Sequence, residues 1–142
     1  MHESLPSPNS SSSTSGGPPG AQPTGNVKQW IEQAKQVLQK DGVDVSKISD
    51  ADLNLIIQKE SGGNPHAQNN TDSNAKAGHP SKGLMQTIDS TFSGNAAAGH
   101  KDIWNPVDNI VAGVKYAIKR YGSIANVPGV KAVHNGGAYV GY

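Results

Sequence analysis

The chain has 142 residues, a formal net charge of +1 and no cysteine, which suits one domain plus a tail and excludes structural disulfides and thiol catalysis. It has no block of Lys and Arg that would indicate a nucleic-acid partner and no apolar stretch near the ~20 residues that span a bilayer. Only 16% of its residues are Asp, Glu, Lys or Arg, against ~25% on average, and such a polar but weakly charged surface suits a hydroxyl-rich ligand such as a glycan.

Residues 1–25 are mostly Ser, Pro and Gly. They contain almost nothing to bury, so we expect a disordered linker or a vector-derived remnant. The segment has neither a basic n-region nor an apolar h-region, so we do not expect it to be a signal peptide. The remaining residues, 26–142, form the predicted folded domain.

Two helices are predicted next. Residues 26–42 place Val27, Trp30 and Ile31 on one face, with Asn26 as N-cap and Gly42 at the end. A second helix is expected from about residue 50 to 61. It follows Ser49, and Glu60 comes one turn after the apolar Ile56. Glu60 thus lies on or beside the apolar face.

The segment 62–82 has no periodicity and many turn-forming residues, so we predict a long loop. A short helix is expected near Ser90, capped by Asp89. Asn105 and Pro106 then start a well-marked helix that ends at Gly122. The remainder offers one small helical turn and no convincing strand. The predicted fold is mainly α.

Most acidic side chains lie in the tail, on a polar helix face or at turn and cap positions. Glu60, and secondarily Asp72 in the long loop, are the acids left as candidates for chemistry. Position alone leaves open whether Glu60 is an ordinary solvated glutamate at a helix end.

The order of short motifs is more specific. Glu60-Ser61 at a helix end is followed by the stretch GLMQ at 83–86 and by NI-x-x-G-x-x-Y at 109–116. This combination, over about residues 27–122, resembles the lytic transglycosylase domain of the soluble (SLT) family. The wide spacing between ESGGNP and GLMQ looks most like the versions in tail tape-measure proteins of actinobacterial phages and in related cell-wall enzymes.

The resemblance implies a lysozyme-like α fold that cleaves the MurNAc–GlcNAc β-1,4 bond of peptidoglycan without a cofactor. It implies Glu60 as the catalytic acid, with Ser61, Met85, Gln86 and Tyr116 contacting saccharide or supporting the site, and Asn109 and Gly113 serving helix packing. The expected partner is the peptidoglycan glycan strand. We expect a monomeric domain of a larger protein, acting in the bacterial cell wall or from a virion tail.

Glycoside cleavage usually needs two carboxyl groups. The family instead uses a single Glu as general acid and then as base, and the product is a 1,6-anhydro sugar. For this role Glu60 needs a raised pKa, which we expect from desolvation beside Ile57, Leu84 and Met85.

Some assignments have alternatives. Met85 and Tyr116 are also suited to core packing. The family's AYNAG motif, whose tyrosine and asparagine contact the glutamate and substrate, is most nearly matched by the string VHNGG at 133–137, which makes Asn135 a candidate site residue. The histidines lack metal-ligand spacing.

Asp72 could instead activate water opposite Glu60, giving a hydrolytic muramidase like goose-type lysozyme, with carboxyl groups roughly 6.5–9.5 Å apart. A capping or turn role for Asp72 is the simpler interpretation. A non-catalytic peptidoglycan-binding module is the remaining alternative.

Overall fold

The computed structural model describes residues 25–140. Within this range there are six α-helices and one two-stranded sheet, so the mainly α prediction is confirmed. The elements are α1 (Gly25–Lys40), α2 (Asp50–Ser61), β1 (Gln68–Asn69), α3 (Ser73–Lys76), β2 (Ser81–Lys82), α4 (Asp89–Asn95), α5 (Pro106–Tyr121) and α6 (Pro128–His134). Apart from its last residue, the predicted linker 1–25 lies outside the described residues.

The two 16-residue helices, α1 and α5, pack against each other and supply much of the core. Their apolar faces are buried, as the helical spacing predicts. Each fully buried Leu, Ile or Val side chain stabilises the fold by about 1.5–3 kcal/mol relative to an exposed one. None of the helices in residues 25–140 is long and apolar enough to cross a membrane.

Helix α2 runs through the core and has the predicted bounds. The Ser49 side chain accepts a hydrogen bond from the backbone N–H of Asp52, and Gly62 ends the helix in the left-handed conformation with φ of 64°. All six residues from 52 to 57 are buried, so neighbouring elements surround the helix over its first two turns. Its last turn, which carries Glu60, comes out of the core half-buried.

The prediction of a long unstructured loop at 62–82 is wrong in part. Strands β1 and β2 pair antiparallel, with Gln68 opposite Lys82 and Asn69 opposite Ser81, and α3 lies between them. Strands of two residues are too short to show an alternating pattern, which is why the sequence gives no sign of them. The pairing brings the GLMQ segment back to the chain that follows α2, where the N–H of Gly83 donates to the carbonyl of Ala67 over 2.8 Å.

Smaller boundary differences follow from local capping. Helix α4 begins at Asp89 itself, with Ile88 as an N-cap that makes no side-chain bond, so Asp89 lies in the first turn rather than in the cap. The C-terminal part contains a 3-10 turn at Ile124–Asn126 and then α6. After α6 the chain continues to residue 140 without regular structure and returns to α2.

Candidate active site

The carboxyl group of Glu60 lies in the last turn of α2, where it receives a hydrogen bond from the other end of the domain. The hydroxyl of Tyr139 donates to Glu60 Oε2 over 2.8 Å, and both residues are half-buried. The apolar packing of α2 sets the position of the glutamate backbone, and the tyrosine helps to set the direction of its carboxyl group. Glu60 is therefore a held side chain and not a freely solvated one.

Tyr139 is the residue that our sequence analysis missed. The string AYNAG was matched to residues 133–137, whereas the dipeptide Ala138-Tyr139 lies five residues further on and carries the tyrosine that reaches Glu60. His134, at the position first matched to the tyrosine, instead places Nε2 2.8 Å from Asp52 Oδ1. Asp52 is two turns before Glu60, about 12 Å along the helix. The dipeptide itself was the available signal.

A glycine in α6 makes room for Tyr139. A Cβ atom on Gly129 would lie 2.4 Å from Cε1 of the Tyr139 ring and 2.2 Å from the carbonyl oxygen of Val140. Contacts this close are excluded by van der Waals repulsion, so the segment 139–140 reaches its position only because residue 129 has no side chain. Gly129 is buried beneath that segment.

Ser61 shapes the turn that follows the glutamate. Its hydroxyl donates to the carbonyl of Ile57 over 3.0 Å and accepts from the N–H of Gly63 over 3.2 Å. These bonds help the chain to leave the helix directly after Ser61, the residue that follows Glu60. The hydroxyl is already engaged within the turn, so its role in this structure is to support the turn.

The GLMQ segment is fixed to α5 by the buried side chain of Asn109. Its Oδ1 accepts from the N–H of Met85 over 2.7 Å, and its Nδ2 donates to the carbonyls of Lys82 and Ile103 over 3.2 and 3.0 Å. Asn109 is fully buried, and its amide therefore bonds to three backbone groups that the fold removes from water. Its role is thus more specific than the helix packing that the resemblance implied.

Gly83 is required by the same arrangement. It has φ of +83°, and a Cβ there would lie 2.2 Å from Asn109 Nδ2 and 2.7 Å from the Ile103 carbonyl oxygen. Any side chain would displace the asparagine amide. The pairing of a glycine at 83 with an asparagine at 109 therefore has a direct steric cause.

Gln86 adopts an uncommon backbone conformation. Among the described residues it is the one non-glycine residue with positive φ, at 55°, a conformation that costs roughly 1–2 kcal/mol. Its Nε2 donates to the carbonyls of Ala67 and Gly83 over 3.0 and 2.8 Å, which helps to offset the strain. Both amide hydrogens are thus directed at backbone, which leaves Oε1 as the atom suited to accept from a ligand.

Met85 is not a surface residue. Its side chain is fully buried with the rest of the core, so in this structure it cannot contact a saccharide. Leu84 beside it is fully buried as well, whereas Gln86 is half-buried and lines a groove. We therefore correct the expectation for Met85 and assign its side chain to packing.

Tyr116 lines a groove beside Gln86. The two side chains share one stretch of this groove, and the Tyr116 ring also meets Tyr121 edge to face with centroids 6.5 Å apart. Tyr116 is half-buried. Its ring therefore both packs within the fold and presents one edge to the groove, as an aromatic side chain in a saccharide cleft would.

The hydrogen bonds of Asn135 are made within its own helix, α6. It is an exposed C-cap of α6, and its backbone N–H donates to the carbonyls of Lys131 and Ala132 over 3.1 and 3.2 Å. Its match to the family's asparagine depended on the same misplacement as His134. The structure gives Asn135 a local role at a helix end.

Asp72 is the N-cap of α3. Its carboxylate accepts from the N–H of Ala75 over 2.8 Å, and its own N–H donates to Asn69 Oδ1 over 3.2 Å. This is the capping role that its place in a polar loop suggested. Within residues 25–140, no group of three or more His, Asp or Glu residues is placed to hold a metal ion.

Comparison with known proteins identifies the family of this chain. A model of the family described as "Transglycosylase SLT domain" matches residues 43–141, a range that includes Glu60, the GLMQ segment, Asn109 and Tyr139. The "Uncharacterized protein YqbO" of Bacillus subtilis (strain 168) is 50% identical over 119 residues, which are 84% of this chain. The chain spans only 7% of the length of that relative. No solved structure gives a significant match. The chain belongs to the transglycosylase SLT domain family, and its mainly helical architecture is the lysozyme-like fold of that family.

Proposed function

We propose that this domain is a peptidoglycan lytic transglycosylase in which Glu60 acts first as general acid and then as general base. The observation that carries the proposal is the hydrogen bond from Tyr139 to Glu60. A glutamate at a helix end needs no such restraint for solubility, whereas a carboxyl group that exchanges a proton with a substrate must be held in a defined direction. Family membership supplies the reaction class.

The proposed chemistry begins with proton transfer. Glu60 protonates the glycosidic oxygen that leaves with GlcNAc, and the bond from that oxygen to C1 of MurNAc breaks. The N-acetyl carbonyl oxygen of the same MurNAc stabilises the positive charge at C1. The Glu60 carboxylate next removes the proton of the C6 hydroxyl, and O6 bonds to C1. The products are a 1,6-anhydro-MurNAc end and a GlcNAc end, with no water consumed and the glutamate protonated again.

The neighbouring groups fit supporting roles in this scheme. Gln86 offers Oε1 to a sugar hydroxyl or N–H, while its amide hydrogens are engaged by the backbone of Ala67 and Gly83. Tyr116 provides an aromatic edge on the same groove. Tyr139 orients Glu60. We leave Met85 and Asn135 out of the saccharide-contacting set because of their positions in the fold.

Asp72 does not favour the hydrolytic alternative. Its Oδ1 accepts from the N–H of Ala75 as the N-cap of α3, so the position of Asp72 is accounted for without a catalytic role. A single glutamate acting with the substrate's own hydroxyl requires no such second carboxylate. We further propose that the domain acts on the bacterial cell wall, since that is where its substrate lies. The tape-measure resemblance and a virion location stay predictions.

The test is mass spectrometry of peptidoglycan digested with the purified domain. An anhydro-muropeptide is lighter by one water than the hydrolysed product, so the expected digest contains anhydro ends. Glu60→Gln should lower the rate by about 10²–10⁴-fold, the range that general acid–base catalysis supplies. Glu32→Gln, an exposed change on α1, is the matched control and should behave as the unsubstituted domain.

The other outcomes discriminate between the alternatives. A digest that contains reducing ends alone would show a hydrolytic muramidase. If the domain sediments with peptidoglycan but releases no soluble product, and Glu60→Gln sediments equally, the domain is a binding module and the proposal is wrong.

A further inference from the structure

The groove beside the candidate site continues well past Gln86 and Tyr116. One part is lined by Asn74, Ser81, Gln86, Thr87, Ile88, Thr91 and Tyr116. A second part is lined by Ser90, Thr91, Gly94, Asn95, Tyr116, Lys119 and Arg120. Because Thr91 and Tyr116 belong to both, the two parts form one groove that runs between α4 and the second half of α5.

The two parts differ in size and in charge. The part at Gln86 has a volume of 130 Å³, and the part at Lys119 has a volume of 570 Å³ and is more open. The larger value falls in the range of small-molecule sites, so it has room for a substituent rather than for water alone. The residues at the Gln86 end are uncharged, whereas the far end carries two cations and no acidic side chain.

These two cations are available to a ligand. Lys119 and Arg120 are exposed, and neither takes part in an ion pair with another residue of 25–140. By contrast, Lys35, Lys82 and Lys115 are each bound to a carboxylate. The charge of Lys119 and Arg120 is thus not offset within the described part of the chain.

Their position on α5 directs both toward the groove. Lys119 and Arg120 follow Tyr116 by three and four residues, the spacing that places side chains on one helix face about one turn apart. The guanidinium carbon of Arg120 also lies 5.3 Å from the centroid of the Tyr121 ring, close enough for a cation–π contact that restrains it. An Arg restrained in this way loses less side-chain freedom when it binds an anion.

We propose that Lys119 and Arg120 bind a carboxylate of the substrate's peptide stem. This inference rests on the proposed function. A peptide-bearing glycan strand is uncharged along its sugars, and its carboxylates lie on the stems that branch from MurNAc. A strand with a sugar at Gln86 would carry such a branch along the groove toward Lys119 and Arg120. The paired donors of a guanidinium match a carboxylate. Lys119 and Arg120 would then make the domain prefer peptide-bearing strands.

The experiment compares two substrates and two double variants. The substrates are peptidoglycan with intact stems and the same glycan after an amidase has removed the stems, which leaves the lactyl carboxylate as its one acidic group. The variants are Lys119→Gln/Arg120→Gln and the control Lys47→Gln/Lys101→Gln, which removes the same charge from exposed positions that do not line the groove.

With intact stems, the groove variant should raise KM about 3- to 10-fold, as the loss of two exposed ion pairs allows, with little change in kcat. On the stripped strand it should match the unsubstituted domain, and the control should match it on both substrates. Added salt should reduce the difference, because these charges are screened.

Three results would overturn the inference. An equal loss on both substrates would place the interaction on the glycan that the two substrates share and not on the stem. If the groove variant keeps its KM on both substrates, the groove does not take part in substrate recognition. If the control variant shows the same rise in KM as the groove variant, the effect comes from net charge and not from these two residues. If the unsubstituted domain has no lytic activity, the proposed function is wrong, but the inference about stem binding can still be tested. In that case NMR shifts at residues 119–120 on addition of a soluble stem peptide would support it, and their absence would contradict it.

Discussion

The hydroxyl of Tyr139 donates a 2.8 Å hydrogen bond to Oε2 of Glu60 across 79 residues of sequence. The two residues are held by different parts of the fold, the glutamate by the buried helix α2 and the tyrosine by the segment after α6. The direction of the candidate catalytic carboxyl group therefore depends on the docking of the C-terminal segment as well as on α2.

Replacing Tyr139 with Phe should lower kcat and leave the fold intact. The ring keeps its packing, and only the hydrogen bond to Glu60 is lost. A hydrogen bond to a chargeable group contributes about 1.5–3 kcal/mol, so we expect kcat to fall about 10- to 100-fold. Glu32→Gln, an exposed change on α1, is the control. Equal rates for Tyr139→Phe and the unsubstituted domain would show that the bond does not position the catalytic group.

Gly129→Ala should break the same hydrogen bond between Tyr139 and Glu60 by displacing the segment that carries Tyr139. The new methyl group would meet the Tyr139 ring and the Val140 carbonyl at distances that no packing tolerates, so the segment must move away from α6. Released anhydro-muropeptide should fall at least as much as in Tyr139→Phe, while circular dichroism keeps its helical signal. Lys131→Ala, an exposed change on the same helix, is the comparison. Combining Gly129→Ala with Tyr139→Phe should give little further loss, because both act on one contact; additive losses would contradict this account.

The parts that the sequence predicts well are those with local chemical signals. Ser49 and Gly62 bound α2, and Asn105 with Pro106 starts α5, as each cap residue indicates. The two-residue strands carry no comparable signal. The sequence leaves Met85 open between the cleft and the core. Its side chain lies in the core, because its direction depends on how the GLMQ segment docks on Asn109.

The partner of Glu60 was hidden for a related reason. The dipeptide Ala138-Tyr139 is visible in the sequence, but its contact with residue 60 depends on the path of α6 and on the missing side chain at Gly129. The string most like the family motif, at 133–137, has His134 in the tyrosine position, and the structure shows that residue beside Asp52. Long-range contacts of this kind follow from packing and are not encoded in a short window.

Asp72→Asn should leave lytic activity unchanged. Asparagine caps a helix about as well as aspartate, so α3 should keep its start and the hairpin its form. If Asp72 instead activates water, the same change removes the base and should reduce the rate about 10²–10⁴-fold. Asp72→Ala is a useful companion, since it removes the cap in either case. A large loss in Asp72→Asn, with mass spectra that show reducing ends for the unsubstituted domain, would establish the hydrolytic route.

Asn109→Ala should lower both stability and activity, because the asparagine joins α5 to the segment that carries Gln86. The change leaves the N–H of Met85 and the carbonyl of Ile103 without this partner, whereas the carbonyl of Lys82 still accepts from the N–H of Thr87. Unsatisfied buried groups cost about 1–3 kcal/mol each, and partial relaxation suggests a total near 2–4 kcal/mol, measured as a lower midpoint in urea.

Asn105→Ala is the matched variant, since it removes a cap of the same helix at a cost of about 1 kcal/mol but leaves the GLMQ segment in place. At a temperature where both variants are folded, Asn105→Ala should keep its kcat, whereas Asn109→Ala should lose most of it as Gln86 leaves its left-handed conformation. If both keep their kcat, the asparagine stabilises the fold without organising the site, and the assignment of Gln86 to saccharide binding is weakened with it.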